Sequence, residues 1–252
     1  MVDQLQAEFL ELWGKYFPGA ELPLALFYTE STDGVDKAPP SETHRCMICD
    51  LAKVRKGEAL SFDLAGAVCG GAKRYLGFSQ EIAPNFDFFL SCGIPGKLEG
   101  ERYKKTPELV RELVEAGPRF EAPAPYAVFK RWDKLAPEDE PDVVVFFAKP
   151  DVLSGLFTLA GYDTASTEAV IAPFAAGCGS IVQYPYLELS RVNPRAVLGM
   201  FDVSARPCVP ADVLSFAVPM PLFERMVANM DECFLITESW KKVQRRISGN
   251  DG

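Results

Sequence analysis

Three apolar runs of strand length place the strongest constraint on the fold of this chain. They read "LPLALFYT" at 22–29, "DVVVFFAK" at 142–149 and "VLSFAVPM" at 213–220. Their length, their β-branched and aromatic content and the turn residues around them predict buried strands. Amphipathic helices are predicted between them, as at 3–17 and 107–116. Because strands and helices interleave without a strict period, we expect an α/β or α+β fold with a mixed sheet and interleaved helices rather than a barrel.

The length of the chain, 252 residues with 48% hydrophobic content, is ample for a substantial core. With no low-complexity linker, the sequence predicts a single domain over 1–252. The alternative is two intimate lobes with a boundary near 118–140. The strand at 22–29 with its following loop and helix resembles "DVVVFFAKP" with its helix, which either reflects two related halves or arises by chance.

The charge balance excludes some classes of partner. A formal net charge of −9 repels phosphate backbones and anionic lipid, so we expect neither nucleic-acid nor membrane binding. The N-terminus has no basic segment before an apolar core, and no run approaches the roughly 20 apolar residues of a membrane span. We therefore expect a cytoplasmic protein with reduced cysteines, and the odd number, seven, argues against a closed disulfide framework.

The cysteines carry the clearest chemical signal. Cys46 and Cys49 form a C-x-x-C pair at a predicted helix start, with Ser41 or Thr43 as its N-cap, and this spacing puts both thiols on one side of the helix. Three further cysteines have glycine neighbours, which let the backbone approach a bulky group closely. The predicted metal ligands are therefore Cys46, Cys49, Cys69, Cys92 and Cys178.

Other interpretations of these cysteines stay open. They would also suit small residues that face the core or occupy tight turns. The spacing does not match a compact ferredoxin run, so an iron–sulfur cluster would need the thiols to converge in space. Zinc, with His44 as a further ligand, is the less favoured metal because the spacing is not that of a zinc finger. Cys208 and Cys233 are expected to be structural.

An aromatic loop is the second candidate site. Phe86, Phe88 and Phe89 would wall a small planar ligand. As a separate candidate, Arg102, Lys104 and Lys105 before a predicted helix start would attract an anion. The alternatives are core phenylalanines and a solvated charged loop. The acidic run at 138–142 is expected to be a solvated turn. No nucleophile elbow, phosphate-binding loop or dinucleotide fingerprint is present, and the single histidine argues against a classical catalytic triad.

Several longer motifs, in their order along the chain, resemble a known family. They are "HRCMICDLAKVRKGEALSF", "CGGAKRYLGF", "FFAKPDVLSGLF", "AGCGSIVQYPY" and "DVLSFAVPMPLFERM". Together they are similar to the prokaryotic domain of unknown function 169, from about residue 20 to 232. The resemblance implies a cytoplasmic protein, often of anaerobes, with no established activity. The family pattern covers Cys46, Cys69 and Cys178, whereas Cys49 and Cys92 are less typical of it.

The leading hypothesis is a cytoplasmic, cysteine-ligated metal or iron–sulfur protein with a redox role in anaerobic metabolism. Cys46, Cys69 and Cys178 would be ligands, and Cys49 or Cys92 would complete four. Its partner would be a small molecule or an electron-transfer protein. Two alternatives remain: a non-catalytic protein that binds a small ligand, and a metal-free thiol enzyme that uses Cys69 or Cys178 at a helix start. Whether the protein is an enzyme is left open.

Overall fold

The computed structural model describes residues 2–38, 45–67 and 69–249. The predicted helix cap at Ser41 or Thr43 and the predicted ligand His44 lie outside these residues. Within them, no helix is long and apolar enough to cross a membrane.

The strands form one open, mixed sheet of eight strands in the order β2-β3-β4-β1-β5-β8-β7-β6. The two outermost pairs, β2 with β3 and β6 with β7, are parallel, and the other neighbours are antiparallel. This arrangement confirms the predicted mixed sheet and is of the α+β kind. The strands are β1 Leu24–Thr29, β2 Asp36–Lys37, β3 Leu60–Phe62, β4 Tyr126–Arg131, β5 Val143–Ala148, β6 Val170–Ile171, β7 Ala196–Gly199 and β8 Leu214–Pro219.

Helices interleave with the strands, as the sequence predicted. A π-helical segment, Gly179–Gln183, continues directly into α7. The α-helices are α1 Val2–Tyr16, α2 Met47–Arg55, α3 Gly70–Tyr75, α4 Phe86–Phe89, α5 Pro107–Ala116, α6 Pro150–Ala160, α7 Tyr184–Glu188, α8 Met220–Ala228 and α9 Glu238–Ile247.

Both faces of the sheet are covered, which explains the unbroken apolar runs of its central strands. All six residues of β5 are buried, and they alternate between two hydrophobic clusters. Phe146 points into the cluster formed with α1, α6 and α8, and Phe147 points into the cluster formed with α2, α3 and the π-helical segment. The second of these clusters, on the thiol face of the sheet, positions the candidate site.

The strand order repeats between the two halves of the chain. The first four strands are arranged β2-β3-β4-β1 and the second four β6-β7-β8-β5, with the same parallel and antiparallel pairings. The antiparallel pair β1 and β5 joins the halves at the centre of the sheet. α2 connects β2 to β3, and the π-helical segment with α7 connects β6 to β7 at the equivalent place. This repeat of topology favours two related halves over chance similarity.

The acidic run at 138–142 is not simply a solvated turn, and that expectation was wrong. Asp139 is only 6% exposed, and both of its carboxylate oxygens accept hydrogen bonds from Lys130 Nζ, at 2.8 and 2.7 Å. The backbone N–H of Ala136 donates to the same carboxylate. The partly buried Lys130 on β4 is the partner that lets the aspartate lie inward, because a buried charge must be paired.

Candidate functional site

Three free cysteines from distant parts of the chain lie on the same face of the sheet. Cys46 is the residue before α2, Cys69 precedes α3, and Cys178 precedes the π-helical segment. All three contact the same hydrophobic cluster; Cys69 and Cys178 are buried in it, and Cys46 packs against it. The connections from β2 to β3, from β3 to β4 and from β6 to β7 thus each supply one thiol.

Because Gly71 has no side chain, a small space remains beside the sulfurs of Cys178 and Cys69. A Cβ atom on this residue would lie 3.7 Å from Cys178 Sγ and 4.0 Å from Cys69 Sγ. Cys46 is close enough to interact electrostatically with both of these cysteines. We call Cys46, Cys69 and Cys178 the thiol cluster.

Two thiols of the cluster, Cys178 and Cys46, are disfavoured as thiolates in the absence of a bound cation. Burial raises the pKa of the Cys178 thiol well above its usual range, and Cys69, Cys46 and the carboxylate of Asp202 raise this pKa further. Burial also raises the pKa of Cys46, although the backbone N–H groups of Ile48 and Cys49 lower it. A metal-free nucleophile needs a lowered thiol pKa, so the electrostatics do not favour Cys178 as the nucleophile of a metal-free thiol enzyme.

Glycines let the segment around Cys178 pack directly against its neighbours. A Cβ atom on Gly179 would lie 3.0 Å from the ring of Tyr75, and one on Gly199 in β7 would overlap the side chain of Ser180. The Ser180 hydroxyl donates a hydrogen bond to the carbonyl of Gly177 at 2.8 Å. The small residues of "AGCGS" are therefore required by close approach to β7 and α3.

Asp202 ties the turn after β7 to the segment that carries Cys178. The backbone N–H of Gly177 donates to Asp202 Oδ2 at 3.0 Å, and that of Ser204 donates to Oδ1 at 3.0 Å. Met200, just before this turn, has a left-handed backbone with φ of 65°. Non-glycine residues adopt this conformation at a cost and often do so near functional sites.

Cys49 is not a free thiol, because it forms a disulfide with Cys208. The two Cα atoms are 4.6 Å apart and the residues are 159 apart in sequence. This finding corrects both the expectation of fully reduced cysteines and the prediction of Cys49 as a free ligand. Cys49 does lie one turn after Cys46, but it is exposed, next to a 3-10 helix that spans Arg206–Cys208. Cys49 pairs with Cys208 because α2 lies next to that 3-10 helix. Spacing along the chain does not reveal this proximity.

The remaining cysteines do not join the thiol cluster. Cys92 is exposed in the loop after α4, where its sulfur contacts the carbonyl of Gly93 at 3.5 Å. Cys233 is buried in the hydrophobic cluster on the opposite face of the sheet. Across residues 2–38, 45–67 and 69–249, no three His, Cys, Asp or Glu side chains are already arranged to hold a metal ion. Cys69 Sγ accepts the N–H of Ala72 at 3.1 Å.

The structure does not bring the three predicted ligand-binding phenylalanines together at one cleft. Phe86 lines an open cleft of about 550 Å³ between α5 and the segment before α4, whereas Phe88 and Phe89 do not line it. Arg102 is exposed and also lies outside the cleft; its backbone is left-handed, with φ of 57°. Three arginines, Arg74, Arg111 and Arg119, and two carboxylates, Asp87 and Glu115, also line the cleft. The rest of the lining is Gln80, Ile82, Ala83, Asn85, Val110 and Val114.

Sequence reasoning missed that Asp202 and Cys208 occupy positions equivalent to Asp63 and Cys69 in the first half of the chain. The spacing F-D-x5-C occurs twice, ending at Cys69 and at Cys208. In each copy, the N–H two residues after the aspartate donates to its Oδ1 at 3.0 Å. In each copy the N–H four residues after the aspartate also donates to its backbone carbonyl, at 2.9 and 3.1 Å. This short repeat was the signal that would have identified both residues.

Fold and site together define an α+β protein with an open mixed sheet and, on one of its faces, a cluster of three free thiols of which two are buried. A comparison with protein families matches residues 20–229 to DUF169, described as "Uncharacterised ArCR". The chain belongs to this family, which confirms the resemblance found in its sequence motifs. Comparison with curated proteins and with solved structures found no match.

Proposed function

We propose that the protein is a cytoplasmic redox protein that holds an iron–sulfur cluster or a metal ion on Cys46, Cys69 and Cys178. The observation that carries this proposal is that three separate connections bring free thiols to one face of the sheet, with the sulfurs of Cys69 and Cys178 beside Gly71 and Cys46 within electrostatic range of both. Thiolate sulfur is the usual ligand of iron–sulfur clusters and a common ligand of zinc. Three protein ligands leave one coordination position for a fourth donor.

The surroundings of the thiols support the same function. They are largely shielded from solvent, and the N–H of Ala72 already donates to a cysteine sulfur, the kind of contact that tunes the potential of a cluster. The nearby Asp202 carboxylate adds negative charge that favours a cation. An electron-transfer protein or a small redox molecule would be the partner, and nucleic acid would not.

Anaerobic purification followed by iron, sulfide and zinc analysis tests the proposal. We expect close to one metal site per chain in the unmodified protein. Cys46→Ser, Cys69→Ser and Cys178→Ser should each reduce it to less than about a tenth of an equivalent, because serine is a poor ligand for soft metals. Cys92→Ser is the matched control, since it removes an exposed thiol outside the cluster and should leave the metal content unchanged. Metal-free protein, or loss that is equal in the control, would contradict the proposal.

The cleft beside α5 favours a second candidate function, the binding of a small organic anion. Its apolar wall includes Phe86 and the buried Val110. Arg119 forms no ion pair or hydrogen bond with the described residues, and Arg74 bonds only to the carbonyl of Gln80, at 3.2 Å. Two guanidinium groups without carboxylate partners beside an apolar wall suit a carboxylate on an aromatic body.

Calorimetric titration with phenylacetate and with uncharged phenylacetamide tests the second candidate. We expect phenylacetate to bind, phenylacetamide not to bind, and Arg119→Gln to weaken phenylacetate at least about tenfold through loss of a charged hydrogen bond. Arg245→Gln, which removes an exposed arginine of α9, is the control and should have no effect. Equal binding of the two compounds, or no binding of either, would refute this function.

A further inference from the structure

The internal repeat relates four cysteines as two pairs. Cys46 and Cys178 each precede the helical segment that leads into the third strand of their half, and Cys69 and Cys208 each end the F-D-x5-C turn after that strand. Three of these four cysteines form the thiol cluster. Only Cys208 is held elsewhere, in the disulfide.

We propose that Cys208 is the fourth thiol ligand of the site and that its disulfide to Cys49 keeps the site incomplete until it is reduced. This inference rests on the proposed function of the other three thiols. It assigns the metal a four-cysteine set, two from each half of the chain. Four thiolates are the usual set for an iron–sulfur cluster and for structural zinc.

The position of the disulfide supports this assignment. Cys49 lies three residues after Cys46 on the same side of α2, and its backbone N–H donates to the Cys46 carbonyl at 3.0 Å. Cys208 is bonded to Cys49, which lies one helical turn after a cluster thiol, and Cys46 and Cys208 both pack against the same hydrophobic cluster. Reduction therefore frees the Cys208 thiol on the face of the sheet that carries the site.

Cys49 has no counterpart in the second half. The equivalent position, three residues after Cys178, is the fully buried Ile181, whereas Cys49 is exposed. Cys49 thus departs from the repeat, faces solvent and is bonded to the one repeat cysteine outside the cluster. These are the properties of a redox latch, by which we mean a disulfide that withholds a ligand until it is reduced. The exposure of Cys49 also gives a reductant access to the disulfide.

The opening reaction is an ordinary exchange with a dithiol. One thiolate of the dithiol attacks Cys49 Sγ, the Cys49–Cys208 bond breaks, and Cys208 leaves as a thiolate that can bind the metal or take up a proton. The second thiol of the reductant then attacks the mixed disulfide, which releases Cys49 as a thiol. Two electrons pass to the protein, and the dithiol becomes a cyclic disulfide.

Zinc titration against a chromophoric chelator tests the latch, using metal-free protein treated either with dithiothreitol or with a thiol oxidant such as diamide. Cys49→Ser and Cys208→Ser are a matched pair, because both remove the same disulfide and differ only in the thiol that remains. Reduced wild-type protein and Cys49→Ser should bind one zinc ion tightly. Oxidised wild-type protein and Cys208→Ser should bind about 10- to 100-fold more weakly. Thermal unfolding of both variants checks that they are folded.

The outcomes separate failure of the latch from failure of the proposed function. If Cys49→Ser and Cys208→Ser bind zinc equally and Cys69→Ser abolishes binding, the three-thiol site stands and the role of Cys208 is refuted. If reduced Cys49→Ser does not bind zinc or iron at all, both proposals are refuted.

Discussion

Replacement of Gly71 by alanine separates metal binding from stability at a single position. The new methyl group would lie 3.7 Å from Cys178 Sγ and 4.0 Å from Cys69 Sγ, which are ordinary van der Waals distances. The metal-free protein should therefore accept it without strain. Because Gly71 is in α3 and its φ is not positive, alanine should stabilise the metal-free protein by about 0.5 to 1 kcal/mol.

The metal-bound protein should respond in the opposite sense. A metal bonded to both sulfurs lies about 2.3 Å from each, and non-bonded carbon needs about 3.5 to 4 Å from its neighbours. The methyl group and the metal would thus compete for the space beside the two sulfurs. We expect Gly71→Ala to weaken metal binding about 10- to 100-fold, which corresponds to about 1.4 to 2.7 kcal/mol.

Gly70→Ala is the matched control for this experiment. A Cβ atom on Gly70 would meet no atom of the described residues within 4 Å, so the substitution changes the same helix without entering the thiol cluster. Chemical unfolding of the metal-free variants measures stability, and competition with a chelator measures zinc affinity. The reasoning is refuted if Gly71→Ala binds metal as tightly as Gly70→Ala, or if Gly71→Ala is destabilised in the metal-free form.

Three further predictions concern stability. Burial raises the pKa of Asp142 to about 6. Because the fold favours the protonated carboxyl, its contribution to stability is complete below the usual aspartate pKa and is lost as the pH rises through about 6. In urea unfolding, the stability of Asp142→Asn relative to the unmodified protein should therefore be higher by on the order of 2 kcal/mol near pH 8 than near pH 4. Asp139→Asn should cost about 3 kcal/mol in urea unfolding, because it leaves the partly buried ammonium of Lys130 without its charged partner. Gly155→Ala should cost about 1 to 3 kcal/mol in thermal unfolding, because the methyl group would overlap the Trp240 ring.

Two substitutions serve as controls for these stability predictions. Asp151→Asn breaks a partly exposed ion pair with Arg246 and should cost less than about 1 kcal/mol. Gly14→Ala adds a methyl group to α1 with no atom within 4 Å and should not destabilise the protein. The structural explanation would be contradicted if Asp139→Asn and Asp151→Asn cost the same stability, or if Gly155→Ala and Gly14→Ala did. An unchanged pH profile in Asp142→Asn would show that this carboxyl does not titrate as the structure implies.

The parts of the fold that depend on local sequence could be predicted. The strands β1, β5 and β8 are apolar on both faces because helices cover both sides of the sheet. α5 was predicted at 107–116 from its amphipathic pattern, and the Thr106 hydroxyl caps it by accepting the N–H of Leu109, at 3.4 Å. The two-residue edge strands β2 and β6 could not be predicted, because they exist only through parallel pairing with distant strands.

The same division applies to the site. Glycine neighbours identified Cys69 and Cys178 as candidates, but they identified Cys92 equally well, and the structure leaves that residue exposed. What separates them is which loops meet over the sheet, and this depends on the strand order. The Cys49–Cys208 disulfide joins residues 159 apart and follows from the same long-range packing.

X-ray absorption spectroscopy at the metal edge tests the central claim most directly, on whole protein that has been purified anaerobically and kept reduced. The proposed site predicts at least three sulfur ligands at about 2.3 Å, reduced in number by Cys178→Ser but not by Cys92→Ser. A metal surrounded only by oxygen and nitrogen, or a spectrum unchanged by Cys178→Ser, would contradict the thiol cluster as the metal site.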